Sequence, residues 1–251
     1  MSGEEVRKTN FGYKEVDVTE KKGLVREVFD SVSGKYDLMN DLMSLGTHRL
    51  WKRFFVEKAG VRPGMRALDV AGGTADIALL MAAKAGETGS VVVYDINKDM
   101  LDAGRDKCLD RGVAAGVSFV QGDAEHMPFE DNSFDVATIA FGIRNVTHID
   151  IALSEMARVV RPGGRVMVLE FSRVRAEMLS NLYDAYSFGV IPAVGERVTG
   201  NRDAYVYLAE SIRKFPDQES FKAMMEDAGL FKVRYYNIFG GIAAVHSGVK
   251  V

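Results

Sequence analysis

The sequence contains very little cysteine and histidine, with one Cys and four His among 251 residues. A single cysteine excludes an internal disulfide and suits a reducing compartment. Cys108 falls within a helical pattern and has no neighbouring histidine or second cysteine, so we predict a structural role for it. The histidines show no metal-ligand spacing. Their positions are His48, His126, His148 and His246. We therefore expect no bound metal.

Long apolar runs and strong clusters of positive charge are also missing. The longest apolar runs fall far below the ~20 residues that cross a bilayer. The first residues, MSGEEVRKTNFGYKEV, do not resemble a signal or transit peptide. The formal net charge is −3, and the only basic cluster is Lys21-Lys22, which argues against a nucleic-acid partner. A hydrophobic content of 47% is enough for one sizeable soluble domain.

The most informative pattern is a strand, a tight turn and a helix over residues 66–76, RALDVAGGTAD. The turn contains Gly72 and Gly73, and the helical pattern begins immediately after it. A second β-branched run, VVVYD, closes on Asp95. The pattern predicts a βαβ unit, and such units bind ligands at the carboxyl ends of their strands.

The residues at this turn indicate the kind of ligand. Gly72 and Gly73 allow the backbone to approach a ligand closely, Thr74 can donate a hydroxyl hydrogen bond, and Asp95 can accept from both hydroxyls of a ribose. A dinucleotide site needs the G-x-G-x-x-G turn, whereas this turn reads A-G-G-T-A-D and follows the negative charge of Asp69. S-adenosylmethionine, with a cationic centre and a ribose, fits better. The alternative is an ordinary βα turn with a solvated carboxylate.

Two further strands end in polar residues. The strand Val117–Gln121 is followed by Asp123 and Ala124, which suit an adenine because the carboxylate can accept from the exocyclic amine. The strand Phe134–Ala140 runs into the loop FGIRN, where Arg144 places a cation at the substrate-binding edge. The alternative for Arg144 is an ion pair with a nearby carboxylate.

Strands that alternate with helices predict an α/β fold with a mostly parallel sheet covered on both sides. Residues 231–247 are typical of a terminal antiparallel hairpin. We expect one structural domain, in which a helical segment at residues 1–60 packs on or caps a core at residues 61–251.

Apolar and aromatic residues are dense in two other stretches, residues 36–55 and 176–194. Ordinary core packing is favoured for most of them. The alternative is a roof or wall for an apolar substrate, into which the polar Tyr36 would face.

These motifs carry a family resemblance. The run LDVAGGTAD, the loop FGIRNV and the turn RPGGR resemble class I S-adenosylmethionine-dependent methyltransferases, a Rossmann-like fold with seven strands and a terminal antiparallel hairpin. The longer runs VFDSVSGKYDLMNDLMSLGTHRLWK, YDAYSF and YLAESI resemble the quinone-biosynthesis C-methyltransferases of the UbiE and MenG type. This resemblance extends from about Phe11 to the C-terminus.

The resemblance implies methylation of a ring carbon of a polyprenylated benzoquinol or demethylmenaquinol, in ubiquinone or menaquinone biosynthesis. The family's cofactor residues fall on Thr74, Asp95, Asp123 and Ala124. Two positions depart from the family pattern: the usual Gly-Asp is Ala75-Asp76, and the usual serine at the end of the fourth strand is Ala140. The missing hydroxyl at Ala140 would weaken one cofactor contact.

An aromatic carbon becomes a good nucleophile when a hydroxyl ortho or para to it loses its proton. We predict that Arg144 stabilises the resulting phenolate and that Tyr36, or a water held nearby, relays the proton. Asp37 and His48 are weaker candidates for the base.

A polyprenyl tail prefers hydrocarbon to water by ~0.8 kcal/mol per CH₂. We therefore expect peripheral membrane contact, through residues 176–194 or through partners in a quinone-biosynthesis complex. A homodimer is compatible with the sequence. The expected location is the bacterial cytoplasm or the mitochondrial matrix, at the inner membrane.

Two alternatives from other classes remain. An NAD-linked oxidoreductase would need the three-glycine turn, which is missing here. A non-catalytic scaffold of a quinone-synthesis complex would lose ligand binding; Asp95 and Asp123 argue against it, and Ala140 argues for it.

Overall fold

The computed structural model describes residues 8–32, 41, 44, 46–113, 115–174, 186–199 and 201–251. The chain divides into two compact units. The larger unit comprises Arg49–Ser172 and Pro216–Val251, and the smaller comprises Met1–His48 and Arg173–Phe215. Among the described residues, no helix is both long and apolar enough to cross a membrane.

The described residues form strands and helices that alternate along much of the chain. The strands are β1 (Lys8–Phe11), β2 (Lys14–Asp17), β3 (Arg66–Val70), β4 (Ser90–Asp95), β5 (Val117–Gln121), β6 (Phe134–Ala140), β7 (Val160–Phe171), β8 (Leu230–Ile238) and β9 (Ala243–Lys250). The helices are α1 (Val18–Val32), α2 (His48–Ala59), α3 (Asp76–Ala85), α4 (Lys98–Asp110), α5 (Ile149–Val159), α6 (Ile191–Thr199), α7 (Arg202–Lys214) and α8 (Gln218–Asp227).

A seven-stranded sheet forms the larger unit, in the order β5-β4-β3-β6-β7-β9-β8. Strands β5, β4, β3, β6 and β7 pair in parallel with their neighbours in this order. Strand β9 runs antiparallel to both β7 and β8. The chain moves outward from β3 to β5 and then returns to β6 on the other side of β3. The predicted fold class is confirmed, and open α/β sheets bind ligands where the strand order reverses in this way.

The central strands are buried on both faces, which explains their nearly continuous apolar sequences. Ala67, Leu68 and Val70 of β3 have no exposed surface. Helices α3 and α5 bury apolar side chains such as Met81 and Met156, which are also fully covered. A core of this kind holds the carboxyl ends of β3, β4 and β6 in fixed positions.

Most predicted elements agree closely with the structure. Strands β5 and β6 have the predicted bounds, and Asn97 caps α4 by accepting from Met100 N at 3.1 Å. Strand β7 begins at Val160 rather than at the predicted Arg165, and its pairing with β6 shifts between Phe134 and Val136. Pro162 lies in this irregular part, where the absence of an N–H is tolerated.

The smaller unit contains an N-terminal hairpin that the sequence analysis did not predict. Strands β1 and β2 pair from Lys8 with Asp17 to Phe11 with Lys14. Gly12 turns the hairpin at φ 60°, and the ring of Phe11 stacks on Tyr207 of α7 at 4.2 Å. The hairpin was missed because its short strands are mostly polar.

Candidate cofactor and substrate site

Backbone strain is concentrated at the carboxyl edge of the sheet. Six described residues other than glycine have positive φ, and four of them follow strands at this edge. They are Ala71 (48°), Ala75 (64°), Phe141 (58°) and Phe239 (46°). The left-handed conformation costs about 1–2 kcal/mol for each such residue. Strain of this kind persists where the surrounding structure imposes it, and it is frequent at functional sites.

The glycine turn after β3 is packed too closely for side chains. A Cβ on Gly72 would lie 2.7 Å from Val93 Cγ1 and 2.9 Å from Asp69 Oδ2. Gly73 adopts φ 49°, and its N–H donates to Asp95 Oδ2 at 2.9 Å. Packing against Val93 of β4 therefore requires glycine at position 72, and the left-handed backbone favours glycine at position 73.

Asp95 joins the ends of the first two strands of the site. Its Oδ2 accepts from the Gly73 N–H, and its Oδ1 accepts from the Asn97 N–H at 2.8 Å. Burial raises the pKa of Asp95 to about 6, although these backbone hydrogen bonds oppose the shift. The carboxylate is half-buried and lies where the sequence predicted a partner for ribose hydroxyls.

Asp69, the last acidic residue of β3, is buried inside the sheet. Its Oδ1 accepts from Thr138 Oγ1 at 2.9 Å, and a backbone hydrogen bond from Ala78 also favours the ionised form. Burial raises the pKa of Asp69 to about 7, and the neighbouring charge of Asp95 adds to the shift. A cation bound beside the glycine turn would stabilise the ionised form of this buried carboxylate.

Thr74 lies beside a cluster of charges that the sequence analysis did not identify. The carboxylate of Asp76 pairs with Lys52 Nζ at 2.7 Å and with Lys107 Nζ at 2.9 Å. Burial opposes ionisation, but the two lysines outweigh it and lower the pKa of Asp76 to about 2. Lys107 Nζ also donates to Thr74 Oγ1 at 3.3 Å. These partners are far apart in sequence, so spacing alone could not reveal the cluster.

The end of β5 adds Asp123 and Ala124 to the same edge. Asp123 Oδ1 accepts from Glu125 N at 3.0 Å, and the hydroxyl of Tyr94 donates to the Asp123 carbonyl at 3.0 Å. Gly122 N donates to the carbonyl of Asp95 at 2.9 Å. This bond connects the ends of β4 and β5, so the carboxylates predicted for ribose and adenine follow neighbouring strands.

Arg144 lies in a short 3₁₀ turn, Ile143–Asn145, after β6. Its Nη1 donates to Glu170 Oε1 at 2.6 Å and to the carbonyl of Phe141 at 2.8 Å. The structure thus shows an ion pair between Arg144 and a carboxylate, which was the alternative interpretation of this residue. Burial raises the pKa of Glu170, and the charge of Arg144 opposes that shift. Arg144 Nε is buried without a hydrogen-bond partner among the described residues.

Four aromatic side chains pack beside Arg144 at this edge. Trp51 of α2 lies 6.1 Å from Phe171, 6.4 Å from Phe141 and 6.0 Å from Phe239, measured between ring centroids. The Phe141 and Phe171 centroids are 4.9 Å apart, and the guanidinium of Arg144 lies 5.6 Å from the Phe171 centroid. Phe239 is 58% exposed, so part of this cluster presents an open apolar surface. In the sequence, Trp51 is distinguished only as one of the aromatic residues in the stretch 36–55, for which core packing is favoured.

The remaining predicted residues are placed as follows. Ala140 ends β6, opposite Leu169 of β7, and its methyl group supplies no hydrogen bond there. Tyr36, with the weaker candidate Asp37, lies outside the described residues. His48 belongs to the smaller unit, where its Nε2 lies 3.0 Å from Asp41 Oδ1. The structure therefore brings the predicted cofactor residues and Arg144 to one edge of the sheet in the larger unit. Their roles, like the role of Tyr36, stay predictions.

Residues 15–250 match the model of the ubiE/COQ5 methyltransferase family. The chain belongs to this family. It is 57% identical over 242 residues to the ubiquinone/menaquinone biosynthesis C-methyltransferase UbiE of Pseudomonas aeruginosa, with 96% of this chain and 94% of the relative covered. The UbiE protein of Cellvibrio japonicus is 54% identical over 246 residues, covering 98% and 99%.

Solved structures show the same fold at much lower identity. An S-adenosylmethionine-dependent methyltransferase from Aquifex aeolicus has a TM-score of 0.58 at 17% identity, covering 94% of this chain and 100% of that one. A Thermotoga maritima protein described as a possible histamine N-methyltransferase has a TM-score of 0.64 at 18% identity, covering 90% and 100%. The [4+2]-cyclase SpnF has a TM-score of 0.60 at 16% identity, covering 90% and 94%, so the fold alone does not determine the reaction.

The residues at the carboxyl edge fit the cofactor of this methyltransferase family, S-adenosylmethionine. Asp95 and Asp123 can accept from ribose hydroxyls and from the adenine amine. The buried carboxylate of Asp69 makes the edge favourable for a cationic sulfonium. Neither the NAD-linked oxidoreductase nor the non-catalytic scaffold is favoured by these findings.

Proposed function

We propose that the protein methylates a ring carbon of a polyprenylated benzoquinol or demethylmenaquinol. The observation that carries the proposal is the 57% identity, over nearly the full length, to a relative named for C-methylation in ubiquinone and menaquinone biosynthesis. Family membership makes the protein a methyltransferase that uses S-adenosylmethionine. The quinol substrate is the part that is proposed.

Bound S-adenosylmethionine supplies an activated methyl group on a sulfonium. The protein's own residues would hold it through Asp95 at the ribose, Asp123 and Ala124 at the adenine, and Thr74 at the turn. The carboxylate of Asp69, which lies beside Gly72, would favour the positive charge of the sulfonium. Alignment of two reactants in this way can supply several kcal/mol, about 7–11 in well-oriented model reactions.

Arg144 is proposed to stabilise the negative charge that develops on the quinol oxygen. Its Nη1 already bonds to Glu170, but its buried Nε has no partner among the described residues, so a phenolate that entered beside it would supply the missing acceptor. The exposed ring of Phe239, which packs against Trp51, offers an apolar surface for a flat quinol ring. A pocket that excludes water would favour a reaction in which opposite charges cancel. Tyr36 remains the proposed proton relay.

A substrate with a polyprenyl tail resides in a bilayer, so the protein is also proposed to act at a membrane surface. Contacts through residues 176–194 and binding to other enzymes of quinone synthesis, or to a second copy of the chain, are part of this proposal. The amphipathic character of residues 176–194 and the chemistry of the tail support it.

A methyl-transfer assay on short-chain quinols tests the proposed function. Purified protein should transfer label from S-adenosylmethionine to a demethylated benzoquinol, to a demethylmenaquinol, or to both. Labelled product from either quinol supports the proposal, and the ratio of the two rates identifies the preferred class. Binding of S-adenosylmethionine without transfer to either quinol would overturn it.

A further inference from the structure

A second concave site lies away from the carboxyl edge of the sheet. This groove, of about 280 Å³, is bounded by the end of α2 and by strands β7, β8 and β9. Four cations line it, together with the hydroxyls of two other residues, and none of its lining residues is acidic. The cations are Lys58, Arg165, Lys232 and Arg234, and the hydroxyls belong to Tyr236 and Ser247.

The positive charge of this basic groove is not neutralised within the part of the chain that the structure describes. None of its four cations forms an ion pair with a carboxylate there. Arg165 Nη1 donates to the carbonyl of Lys58 at 2.9 Å, and Lys58 Nζ lies 4.7 Å from the ring centroid of Tyr236. The chain as a whole has a net charge of −3, so a general excess of basic residues does not explain the cluster. Four like charges in one concavity repel each other unless an anion is present.

The backbone of β8 is strained where it supplies two of these cations. The pairing of β8 with β9 shifts between Phe231 and Arg234, and Lys232 adopts φ 51°. A lysine in this conformation costs about 1–2 kcal/mol. Bulges of this kind redirect side chains and are frequent beside binding sites. Val233 remains buried at 5% exposure, so the distortion preserves the core while Lys232 and Arg234 line the groove.

The sheet register separates this groove from the cofactor site. Val249 pairs with both Arg165 of β7 and Phe231 of β8, at the amino end of these parallel strands. At the opposite end, Phe171 and Ile238 both pair with Ala243, beside the aromatic cluster. A ligand in the basic groove would therefore bind without occupying the site for S-adenosylmethionine.

We propose that the basic groove binds a phosphate group, as a monoester or a diester. Guanidinium groups match phosphate geometry, and hydroxyls such as those of Tyr236 and Ser247 donate to the remaining oxygens. The volume is close to the lower limit of small-molecule pockets, about 300 Å³, and accommodates a phosphate with a small alcohol attached. Val249 supplies the apolar part of the lining. A phospholipid headgroup and a soluble phosphate ester share this chemistry.

The test compares two double variants of equal charge. Lys232→Gln with Arg234→Gln removes two groove cations, and Arg62→Gln with Arg111→Gln removes two exposed cations outside the groove. Each protein is mixed with phosphatidylcholine vesicles, with or without phosphatidylglycerol, and bound protein is measured by co-sedimentation. Glycerol 3-phosphate is titrated in parallel by calorimetry. S-adenosylmethionine binding, measured for every variant, shows that the fold is intact and does not depend on the proposed quinol substrate.

The groove variant should bind phosphatidylglycerol vesicles roughly thirtyfold more weakly than the wild type, because it lacks two of the cations that are attracted to the anionic surface. The Arg62/Arg111 control should bind like the wild type. If the wild type binds glycerol 3-phosphate but not vesicles, and only the groove variant loses this binding, the groove is assigned to a soluble phosphate ester. The proposal is overturned if the wild type binds neither ligand or if both double variants lose binding equally.

Discussion

Arg144 and Glu170 form a buried ion pair, so removing either side chain has a structural cost as well as a functional one. Removing one partner of such a pair leaves an uncompensated charge and typically costs about 3–5 kcal/mol. Replacing both partners by neutral groups costs much less, because no charge remains buried. The pair can therefore be used to separate stability from catalysis.

We predict that Arg144→Gln abolishes methyl transfer and strongly destabilises the protein, whereas Arg144→Gln with Glu170→Gln regains most of the stability but no activity. Two glutamines can still hydrogen-bond across the same gap, but neither can stabilise a phenolate as a cation does. Urea denaturation and single-turnover methyl transfer measure the two effects. Full activity in the stable double variant would show that Arg144 is only structural.

Asp95 should make the binding of S-adenosylmethionine dependent on pH. Its pKa is raised to about 6, so the free protein holds a proton there at lower pH, and the carboxylate form is the one that accepts two ribose hydroxyls. The affinity should fall as the pH is lowered through 6, by about tenfold for each unit below the pKa. Asp69, with a pKa of about 7, acts in the same direction.

Calorimetric titrations from pH 5 to pH 8 measure this dependence, and the heat in buffers of different ionisation enthalpy counts the protons released. Asp95→Asn should bind more weakly by about 1.5–3 kcal/mol for a lost charged hydrogen bond, and its affinity should vary less with pH. An affinity that does not change across this pH range would contradict the proposed role of both carboxylates.

The polar residues at strand ends were predictable from the sequence because parallel strands place their carboxyl ends together. Asp95, Asp123 and Arg144 were identified on that basis. Glu170 was missed, although an acidic residue inside the apolar run VMVLEF is a usable signal: a buried charge requires a partner. Lys52 and Lys107 gave no comparable signal, since helical lysines are usually solvated.

At the level of elements, the β3–α3 connection carries strain that a single substitution can test. Ala75 lies in the left-handed region immediately before α3, at φ 64° and ψ 23°. Alanine there costs about 1–2 kcal/mol, whereas glycine loses roughly 0.5–1 kcal/mol of backbone entropy instead. Glycine, which the family resemblance implies at this position, would adopt this conformation without strain.

We therefore predict that Ala75→Gly stabilises the protein by about 0.5–1 kcal/mol. Ala83→Gly is the matched control, because it makes the same change at an exposed position inside α3 and should destabilise by about 1 kcal/mol. Chemical denaturation midpoints at an unchanged slope provide the comparison. Equal destabilisation by both substitutions would show that the turn does not require the left-handed conformation.

Elements with strong periodicity or clear caps were predicted well, and irregular ones were not. Strands β5 and β6 are bounded by polar residues, and α8 is capped by Asp217, which accepts from Ser220 N at 2.9 Å. The early start of β7 depends on a shifted pairing with β6, and the hairpin β1–β2 depends on partners in α7 such as Tyr207. Contacts between distant parts of the chain decide both features, so local sequence could not reveal them.

At the level of the whole molecule, the stability should respond to pH through buried groups with opposite effects. The folded-state pKa values of Asp69 and Asp95 are raised, so their contribution to stability decreases as the pH rises from about 4 towards 7. Burial lowers the pKa of His246 to about 4. The contribution of neutral His246 to stability is therefore lost as the pH falls from 6.5 towards 4, because the unfolded chain binds the proton more readily than the folded chain. These opposing effects flatten the pH dependence of the wild type.

Removing His246 should make the pH dependence of stability that Asp69 and Asp95 cause measurable. His246 lies in β9 with Nε2 3.0 Å from the carbonyl of Gln218, and glutamine at this position can still donate to that oxygen. We predict that the stability difference between His246→Gln and the wild type shifts in favour of the variant by about 3 kcal/mol between pH 7 and pH 4. Urea denaturation at each pH measures it, and His126→Gln, at an exposed site, is the control. A pH-independent difference would mean that His246 is protonated equally in the folded and unfolded chains, so the acid sensitivity of the fold would have to come from other groups.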